Sequence, residues 1–197
     1  MSKTFFNEKA HEWDDIVNHD SEKIKNTIKD LASSKNPNIL DVGSGTGILI
    51  PFLVEEFGQN SRITVIDFAE NMIKVSREKH KNYDNIDYIV GDIYSINFPA
   101  NMFDIIICYS VFPHFNDKKA ILNRFKFWLK NNGKVLIFHS ESRETINNLH
   151  KKTDKSVRKD HLPPAIKIAN IAEEIGYKIT EIIDNEDLYL INLKKQV

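Results

Sequence analysis

Three glycines that follow a short apolar run constrain the fold of this chain more than any other feature. Residues 39–47 read Ile-Leu-Asp-Val-Gly-Ser-Gly-Thr-Gly, and a helical pattern of apolar residues follows at once. Glycine is favoured where the backbone takes a positive φ or approaches a ligand without a Cβ in the way. A buried strand, a glycine-rich turn and a helix N-terminus together form a cradle for a nucleotide. The stretch therefore predicts an α/β fold that binds a nucleotide-like ligand.

Acidic residues follow the next two apolar runs of the chain. The first run ends in Asp67, and the second ends in Gly91, Asp92 and Ile93. A carboxylate at the position of Asp67 can accept hydrogen bonds from both hydroxyls of a ribose. Asp92 is placed where a carboxylate could meet an adenine amino group. The glycine turn and the two acids together predict a site for an adenine nucleoside at the strand ends.

These motifs resemble the successive motifs of class I S-adenosylmethionine (SAM)-dependent methyltransferases. They are 41–47 (DVGSGTG), 65–67 (VID) and 91–93 (GDI), and the resemblance runs from about residue 38 to the C-terminus. The glycine spacing differs from the G-x-G-x-x-G pattern of nicotinamide dinucleotide sites. The resemblance implies an enzyme that transfers the sulfonium methyl group of SAM to a small-molecule acceptor.

The resemblance also implies a Rossmann-like, doubly wound α/β fold with a seven-stranded, mostly parallel sheet whose antiparallel C-terminal strand lies beside the fifth. The apolar pattern agrees, because alternating strands and helices indicate a parallel sheet covered on both faces. The predicted strands are 38–43, 62–67, 86–91, 103–109 and 134–139, followed by a hairpin of 178–183 and 188–193. The predicted helices are 21–32, 46–57, 69–80, 117–130 and 163–175, the last opened by Pro163-Pro164 and ended by Gly176.

Length and composition limit the classes of protein to consider. The 197 residues suffice for one domain with its own core, so we expect a single methyltransferase domain over 1–197, with a helical cap at 1–32 and the Rossmann-like core at 38–197. The formal net charge of −1 argues against a nucleic-acid partner bound through a basic field. Cys108 is the single cysteine, which excludes an internal disulfide, and its apolar setting predicts a buried thiol. No signal peptide and no apolar run near about 18 residues are present, which predicts a cytoplasmic monomer or homodimer without membrane contact.

The N-terminal segment combines apolar and aromatic residues with acids and histidines. Phe5, Phe6, Trp13 and Ile16 lie within its first 20 residues. The segment resembles the cap of small methyltransferases, which folds over the cofactor and completes the substrate pocket. The alternative is an amphipathic helix packed on the outside of the sheet. We expect a lid, because so many aromatic residues in a short polar segment need a surface to cover.

In open α/β sheets a ligand lies outside the carboxyl ends of the strands, and the resemblance assigns the residues there to SAM. The glycine turn is implied to pass against the methionine half, while Asp41 either organises the turn or reaches the ammonium group. Phe68 and Met72 are implied to contact adenine, although Met72 equally fits a helix residue that faces the core. The predicted cofactor-binding residues are Asp41, Gly43, Ser44, Gly45, Gly47, Asp67, Phe68, Met72, Asp92, Ile93 and Cys108.

The fourth strand is implied to end at the reaction centre, with residues 108–110 near the sulfonium and 111–114 in the substrate wall. Methyl transfer is an in-line displacement on carbon with a neutral leaving group, so catalysis consists mainly of positioning and of removing water. A general base is needed only where the acceptor must lose a proton early. His114 is the first candidate and His139 the second, and each also fits a structural imidazole. The predicted catalytic residues are His114, His139 and Tyr109.

The segment 139–150, continued by His161 and two prolines, is rich in His, Arg and Glu. In many small methyltransferases the corresponding segment contributes to substrate choice, so this composition favours a polar or metal-associated acceptor over a quinone or a lipid. A further hypothesis is a divalent-metal site for Zn²⁺ or Fe²⁺ near the acceptor pocket. Its ligands would be His139, Glu141, His150 and His161, with His80 away from it on an outer helix end. The alternative is that His139 binds substrate or backbone and that the other two histidines lie on the surface.

Two other functions fit the same motifs. One is a regulatory or assembly protein that binds SAM without turnover, which would keep Asp67 and Asp92 but lack an acceptor site. The other is a nicotinamide-dependent reductase with the same topology. Release of S-adenosylhomocysteine with any acceptor would distinguish a methyltransferase from a regulatory SAM-binding protein. Binding of NADH would identify a reductase.

Overall fold

Seven strands form one sheet in the computed structural model, which describes residues 3–29, 31, 35–155 and 157–196. They are β1 (Asn38–Val42), β2 (Arg62–Asp67), β3 (Ile86–Val90), β4 (Phe103–Tyr109), β5 (Leu129–His139), β6 (Tyr177–Asp184) and β7 (Tyr189–Lys195). Their order across the sheet is β3-β2-β1-β4-β5-β7-β6. The first five strands pair in parallel, and β7 lies antiparallel between β5 and β6. The predicted Rossmann-like, mostly parallel sheet with an antiparallel C-terminal strand beside the fifth is confirmed.

Helices precede the sheet and connect its strands. They are α1 (Lys3–Lys9), α2 (Trp13–Ile16), α3 (Ser21–Ile28), α4 (Ile50–Phe57), α5 (Glu70–Lys79), α6 (Lys118–Trp128), α7 (Arg143–Lys152) and α8 (Ala165–Glu174). A short 3₁₀ helix spans Phe112–His114. Asp20, Asp117 and Ser142 cap the N-termini of α3, α6 and α7 through their side-chain oxygens.

Most predicted element bounds agree with the structure to within about two residues, with three exceptions. Helix α4 begins at Ile50 because the glycine turn occupies the preceding residues and Pro51 lies in the first helical turn. Strand β5 begins at Leu129, five residues before its predicted start, with Asn132 at φ +63° and an irregular register against β4. Helix α3 ends at Ile28, and the end predicted at residue 32 lies outside the described residues.

The core lies on both faces of the sheet because successive strand residues point in opposite directions. On one face, Leu40 and Ile106 pack with apolar residues of α6 and α8. On the other face, Ile39 and Ile105 pack with apolar residues of α3, α4 and α5. These strand residues are almost fully buried. Helices therefore cover both faces of the sheet and leave the carboxyl ends of the parallel strands as the place for a ligand.

Helix α3 differs from the rest of the predicted cap. Its Ile24 and Ile28 are fully buried in the core cluster with α4, so α3 belongs to the packed sheet rather than to a lid. Helices α1 and α2 instead bring residues to the cavity at the strand ends. Of the described residues in the predicted cap at 1–32, those that line the cavity belong to α1, α2 and the segment after them, whereas α3 lies in the core.

None of the helices in the described part of the chain is both long and apolar enough to cross a membrane.

Candidate active site

A cavity of about 300 Å³ lies at the carboxyl ends of β1, β2, β3 and β4. Most of the predicted site residues line it, as do Tyr94, Ser110, Val111, Phe115 and Asn116 from the loops that follow β3 and β4. The predicted residues in its lining are Asp41, Gly43, Ser44, Gly45, Asp67, Phe68, Met72, Asp92, Ile93, Tyr109 and His114. The predicted residues outside its lining are Gly47, Cys108, His139, Glu141, His150 and His161.

The glycine turn is held against β2 and takes a left-handed backbone. The N–H groups of Gly43 and Ser44 donate to the carbonyl of Ile66 at 2.8 and 3.1 Å. Gly43 has φ +66°, and a Cβ on it would lie 2.3 Å from Val111 Cγ2, a distance that no side chain tolerates. Gly45 has φ +54° and opens on the cavity. The turn therefore exposes backbone to the ligand at Gly43 and Gly45.

Gly47 serves packing rather than the cavity, which corrects its predicted role. It has φ +82°, and a Cβ there would meet Ser76 Oγ at 2.3 Å and His80 Cδ2 at 2.9 Å. His80 itself is 8% exposed, so it is buried beneath the turn rather than placed on an outer helix end as expected. Gly47 thus lets the turn pack directly on α5.

Asp67 connects the glycine turn to the start of α5. Its Oδ2 accepts from the Gly45 N–H at 3.0 Å, and its Oδ1 accepts from the Ala69 N–H at 2.8 Å. Burial raises the pKa of this carboxyl, and the two N–H groups oppose that rise. Because each carboxylate oxygen has a second acceptor position, both can still accept a hydroxyl from the cavity. This geometry fits the ribose role that the sequence predicts.

Asp41 and Ser44 present polar atoms that no described group satisfies. Asp41 is 1% exposed with its Oδ2 unpaired, and Ser44 is 5% exposed with its Oγ unpaired. Burial, and then the charge of Asp67, raises the pKa of Asp41 to about 8. Unpaired buried polar groups of this kind cost free energy until a partner arrives. Both residues line the cavity, so a cationic donor such as the ammonium group of SAM fits there.

The adenine end of the predicted site combines a buried and an exposed residue. Ile93 is 7% exposed, whereas Asp92 lies at the surface and accepts from the Tyr94 N–H at 2.9 Å. Met72 is 1% exposed and packs with Ala69 while it also lines the cavity, so it serves the core and the site together. Cys108 is fully buried in the core, as its apolar setting predicts, and burial raises the pKa of its thiol well above the ordinary value. Its placement in the core corrects its assignment to the cofactor.

The first two helices contribute side chains to the lining of the cavity. Their residues in its lining are Phe6 and Trp13, joined by Val17 and His19 from the segment that follows. Asp14 accepts from Thr46 Oγ1 at 2.5 Å, and it also pairs with Lys79 of α5. At the start of α5, the Asn71 N–H and Nδ2 donate to the side chain and the backbone of Asn7 at 2.9 and 3.0 Å. These polar contacts have no signal in the sequence, because the partners lie far apart in the chain.

Tyr109 and His114 face the cavity where β4 ends. The Tyr109 hydroxyl lies 2.9 Å from both His19 Nδ1 and Ser140 Oγ. His114 Nδ1 lies 2.6 Å from Asp160 Oδ2, and the imidazole ring packs edge-on against Phe6. The sequence offered no signal for Asp160, which lies 46 residues from its partner.

His139 lies away from the cavity. It is 1% exposed, its ring is edge-on to Tyr189, and both of its ring nitrogens are unpaired. Burial, with contributions from His114 and His150, lowers the pKa of His139 to about 3. The side chain is therefore neutral and does not reach an acceptor in the cavity. This corrects its assignment as a catalytic base.

The predicted metal site is not assembled. The described residues contain no group of three or more His, Cys, Asp or Glu side chains that could hold a metal ion. His150 Nδ1 instead donates to the Asp160 carbonyl at 2.8 Å, and His161 is exposed. His139 is buried apart from the cavity, and Glu141 does not line it.

Known methyltransferases are similar to this chain in sequence. The family described as "Methyltransferase domain" matches residues 40–137. A malonyl-[acyl-carrier protein] O-methyltransferase from Acetivibrio thermocellus is 33% identical over 158 residues, which are 77% of this chain and 54% of that protein. A demethylmenaquinone methyltransferase from Listeria welshimeri is 40% identical over 84 residues, which are 42% of this chain and 36% of that protein. The chain thus spans about half the length of the first relative and about a third of the second.

Solved structures share the fold at lower identity. Phosphoethanolamine N-methyltransferase 2 from Haemonchus contortus, in complex with SAM, has a TM-score of 0.75 at 20% identity and covers 100% of this chain with 58% of its own. A SAM-dependent methyltransferase from Aquifex aeolicus has a TM-score of 0.66 at 18% identity and covers 90% of this chain with 99% of its own.

Proposed function

Because the chain belongs to the class I SAM-dependent methyltransferases, we propose that it transfers the sulfonium methyl group of SAM to a small-molecule acceptor. The observation that carries the proposal is the pair of carboxylates in the cavity. Asp67 holds the glycine turn and retains acceptor positions, while Asp41 has a buried oxygen with no partner. A ligand with ribose hydroxyls at one end and an ammonium group at the other satisfies both.

The residues that would hold SAM fall into two groups. Asp41 and the backbone at Gly43 and Gly45 fit the methionine half, and Asp67 with Ile93 fits the adenosine half. Bound SAM supplies a methyl group that its sulfonium charge has already activated. The chain then needs mainly to align the acceptor and exclude water, which the helices over the cavity support.

The charges in the cavity favour an acceptor without a negative charge. Its described lining includes three carboxylates, of Asp41, Asp67 and Asp92, and neither lysine nor arginine. An anionic acceptor would therefore lose its hydration without gaining a lysine or arginine side chain of the described lining as a partner. The malonyl group in the first relative's name carries a carboxylate, whereas demethylmenaquinone in the second's does not. We therefore propose an uncharged acceptor.

The remaining lining favours an acceptor with an aromatic or apolar body. Six side chains with rings line the same cavity, namely Phe6, Trp13, Tyr94, Tyr109, His114 and Phe115. None of the described residues of the polar segment 139–161 lines the cavity. The expectation of a polar or metal-associated acceptor rested on the composition of that segment. The residues that do line the cavity favour a hydroxyl-bearing aromatic acceptor instead.

A turnover assay with chosen acceptors tests the proposal. Catechol and 1,4-dihydroxynaphthalene are compared with a malonyl thioester by release of S-adenosylhomocysteine. We expect release with an aromatic acceptor at a rate at least about tenfold above that with the thioester. SAM binding without release from any acceptor would support a regulatory protein, and NADH binding without SAM binding would support a reductase.

We predict that the N-terminal helices move when ligand enters. Trp13 lines the cavity, so its fluorescence should change when S-adenosylhomocysteine binds, and amide exchange over residues 3–19 should slow by about tenfold or more. Trp128, the other tryptophan, is 2% exposed in the core and supplies a constant background. Trp13→Phe should therefore abolish the fluorescence change and leave the exchange effect. Equal exchange with and without ligand would indicate permanent packing.

We also predict that SAM affinity rises with pH through Asp41. Its pKa of about 8 in the ligand-free protein means that the carboxyl is protonated at neutral pH and must ionise to bind the ammonium group. Between about pH 5.5 and pH 7 the dissociation constant should fall by up to about tenfold per pH unit, since one proton is released. Calorimetry in two buffers of different ionisation enthalpy measures the number of protons released when SAM binds.

Asp41→Asn is the matched control for this pH dependence. It keeps the shape of the side chain but cannot ionise, so its affinity for SAM should vary little over the same pH range. The raised pKa of Asp41 also predicts how stability depends on pH. Because the folded protein keeps the Asp41 proton up to about pH 8 and the unfolded chain loses it near 3.8, the ligand-free wild type should lose stability as the pH rises from about 4 to about 8. A wild-type affinity that is flat with pH would contradict the assignment.

A further inference from the structure

A largely buried carboxylate contacts His114, one of the two histidines in the described lining of the cavity. Asp160 Oδ2 lies 2.6 Å from His114 Nδ1, and their side chains are only 12% and 9% exposed. Asp160 belongs to the segment between α7 and α8, which does not itself line the cavity. The segment thus reaches the site through His114.

Helix α7 fixes the position of Asp160 through several hydrogen bonds. The Asn147 side chain binds both backbone groups of Leu162, donating to its carbonyl at 3.0 Å and accepting from its N–H at 2.8 Å. His150 Nδ1 donates to the Asp160 carbonyl at 2.8 Å, and the Asp160 N–H donates to the Val157 carbonyl at 2.9 Å. Asn147 is 8% exposed, so this anchor is sheltered from water.

The short contact also determines where the proton of His114 resides. An ionised carboxylate only accepts hydrogen bonds, so Nδ1 must carry the hydrogen and Nε2 of the neutral ring is left as an acceptor. Burial opposes ionisation of Asp160, but the hydrogen bond from His114 prevails and lowers the pKa of Asp160. The carboxylate is therefore ionised at neutral pH.

We propose that Asp160 is a positioning residue that holds His114 in the tautomer whose Nε2 takes a proton from the acceptor in the cavity. This inference rests on the proposed methyl transfer to a hydroxyl-bearing acceptor. The proton of the acceptor passes to Nε2 as its oxygen bonds to the methyl carbon, and the sulfur keeps the electron pair of the broken S–C bond. Asp160 stabilises the imidazolium that results, which returns its proton to water after product release.

The charged and titratable groups near the pair come from four other elements. They are Asp67 on β2, Lys118 on α6, His139 on β5 and His150 on α7. Burial lowers the pKa values of His139 and His150, which keeps both neutral near pH 7. Asp160 is therefore the nearest ionised partner of His114, at 2.6 Å.

Nitrogen NMR of the protein with bound S-adenosylhomocysteine tests the proposal without turnover. Two-bond ¹H–¹⁵N correlations should show His114 of the wild type protonated at Nδ1. Asp160→Asn should shift it to the Nε2-protonated form, because an amide can donate to Nδ1. His161→Gln, a neighbouring exposed residue, is the control and should leave the tautomer unchanged. Wild-type protonation at Nε2, or an unchanged tautomer in Asp160→Asn, would overturn the proposal.

A kinetic comparison with the better aromatic acceptor separates this role from a structural one. Asp160→Asn should lower kcat by about a hundredfold or more, as tautomer loss does in other carboxylate–histidine pairs, with unchanged affinity for S-adenosylhomocysteine. Asp160→Glu should recover part of the rate. If neither acceptor reacts, the proposed function fails while the NMR result still stands. If kcat of a folded Asp160→Asn variant equals that of the wild type, the positioning role fails although methyl transfer remains.

Discussion

Asp67→Ala should weaken SAM binding by about a hundredfold or more. The substitution removes the acceptor for two ribose hydroxyls, and hydrogen bonds to a charged group contribute about 1.5–3 kcal/mol each. It also frees the Gly45 N–H, which Asp67 holds at 3.0 Å, so the glycine turn loses its anchor. Since each 1.4 kcal/mol or so is a factor of ten, two lost bonds correspond to about two to four decades in the dissociation constant. Isothermal titration calorimetry measures the change directly.

Two further variants separate binding from folding in this experiment. Asp87→Ala removes an exposed carboxylate of the neighbouring strand, paired at 2.6 Å with Arg62, and should leave SAM affinity unchanged. Asp67→Asn retains one acceptor oxygen and should lie between wild type and Asp67→Ala. Because Asp67→Ala also leaves the Ala69 N–H without its partner, the unfolding midpoint is measured alongside. A folded variant whose affinity falls by less than about fivefold would contradict the ribose assignment.

The predicted residues that line the cavity are mostly local to strand ends. The glycine turn follows β1, Asp67 ends β2 and Asp92 lies two residues after β3, and parallel strands bring their carboxyl ends to one edge of the sheet. A pattern of apolar runs is therefore enough to place these residues together. The position of the antiparallel C-terminal strand was predicted from the family resemblance alone. A hairpin pattern in the sequence does not say where the hairpin joins the sheet.

The residues that the sequence misplaced depend on which way a side chain points. His139 ends β5 as predicted, yet it is buried beside Tyr189 instead of facing the cavity. Composition was no better a guide for the polar segment 139–161, because a segment rich in His and Glu does not reveal which side faces the ligand. The pairing of Asp160 with His114 likewise depends on tertiary packing and has no sequence spacing of its own.

A glycine that lines the ligand cavity and a glycine that permits close packing look alike in the sequence. The structure separates the two roles. Gly43 and Gly45 line the cavity, whereas Gly47 packs on α5. All three take a positive φ, so the G-x-G-x-G pattern reports the turn and not the individual roles. Substitutions of Gly47 should therefore lower the stability of the fold more directly than they lower SAM affinity.

Gly47→Ala should destabilise the fold by about 2–5 kcal/mol. A left-handed backbone costs a non-glycine residue about 1–2 kcal/mol, and overpacking a buried site costs about 1–3 kcal/mol more. The new Cβ would lie 2.3 Å from Ser76 Oγ, 2.8 Å from Ile50 Cδ1 and 2.9 Å from His80 Cδ2. Ser76 is fully buried and Ile50 packs in the core, so neither can move freely. Urea unfolding without ligand measures the loss.

Gly58→Ala is the matched control, because Gly58 has φ +74° but nothing within 4 Å of an added Cβ. It should cost only backbone strain, about 1–3 kcal/mol because its ψ is 170°, and any loss at Gly47 in excess of such strain comes from packing. Ser76→Ala in the Gly47→Ala background should recover part of that excess, since it removes the closest of the three contacts. If Gly47→Ala and Gly58→Ala were equally stable, the turn would have room to shift away from α5. In that case the loss would appear in SAM affinity instead, because the same shift would move Gly45 away from Asp67.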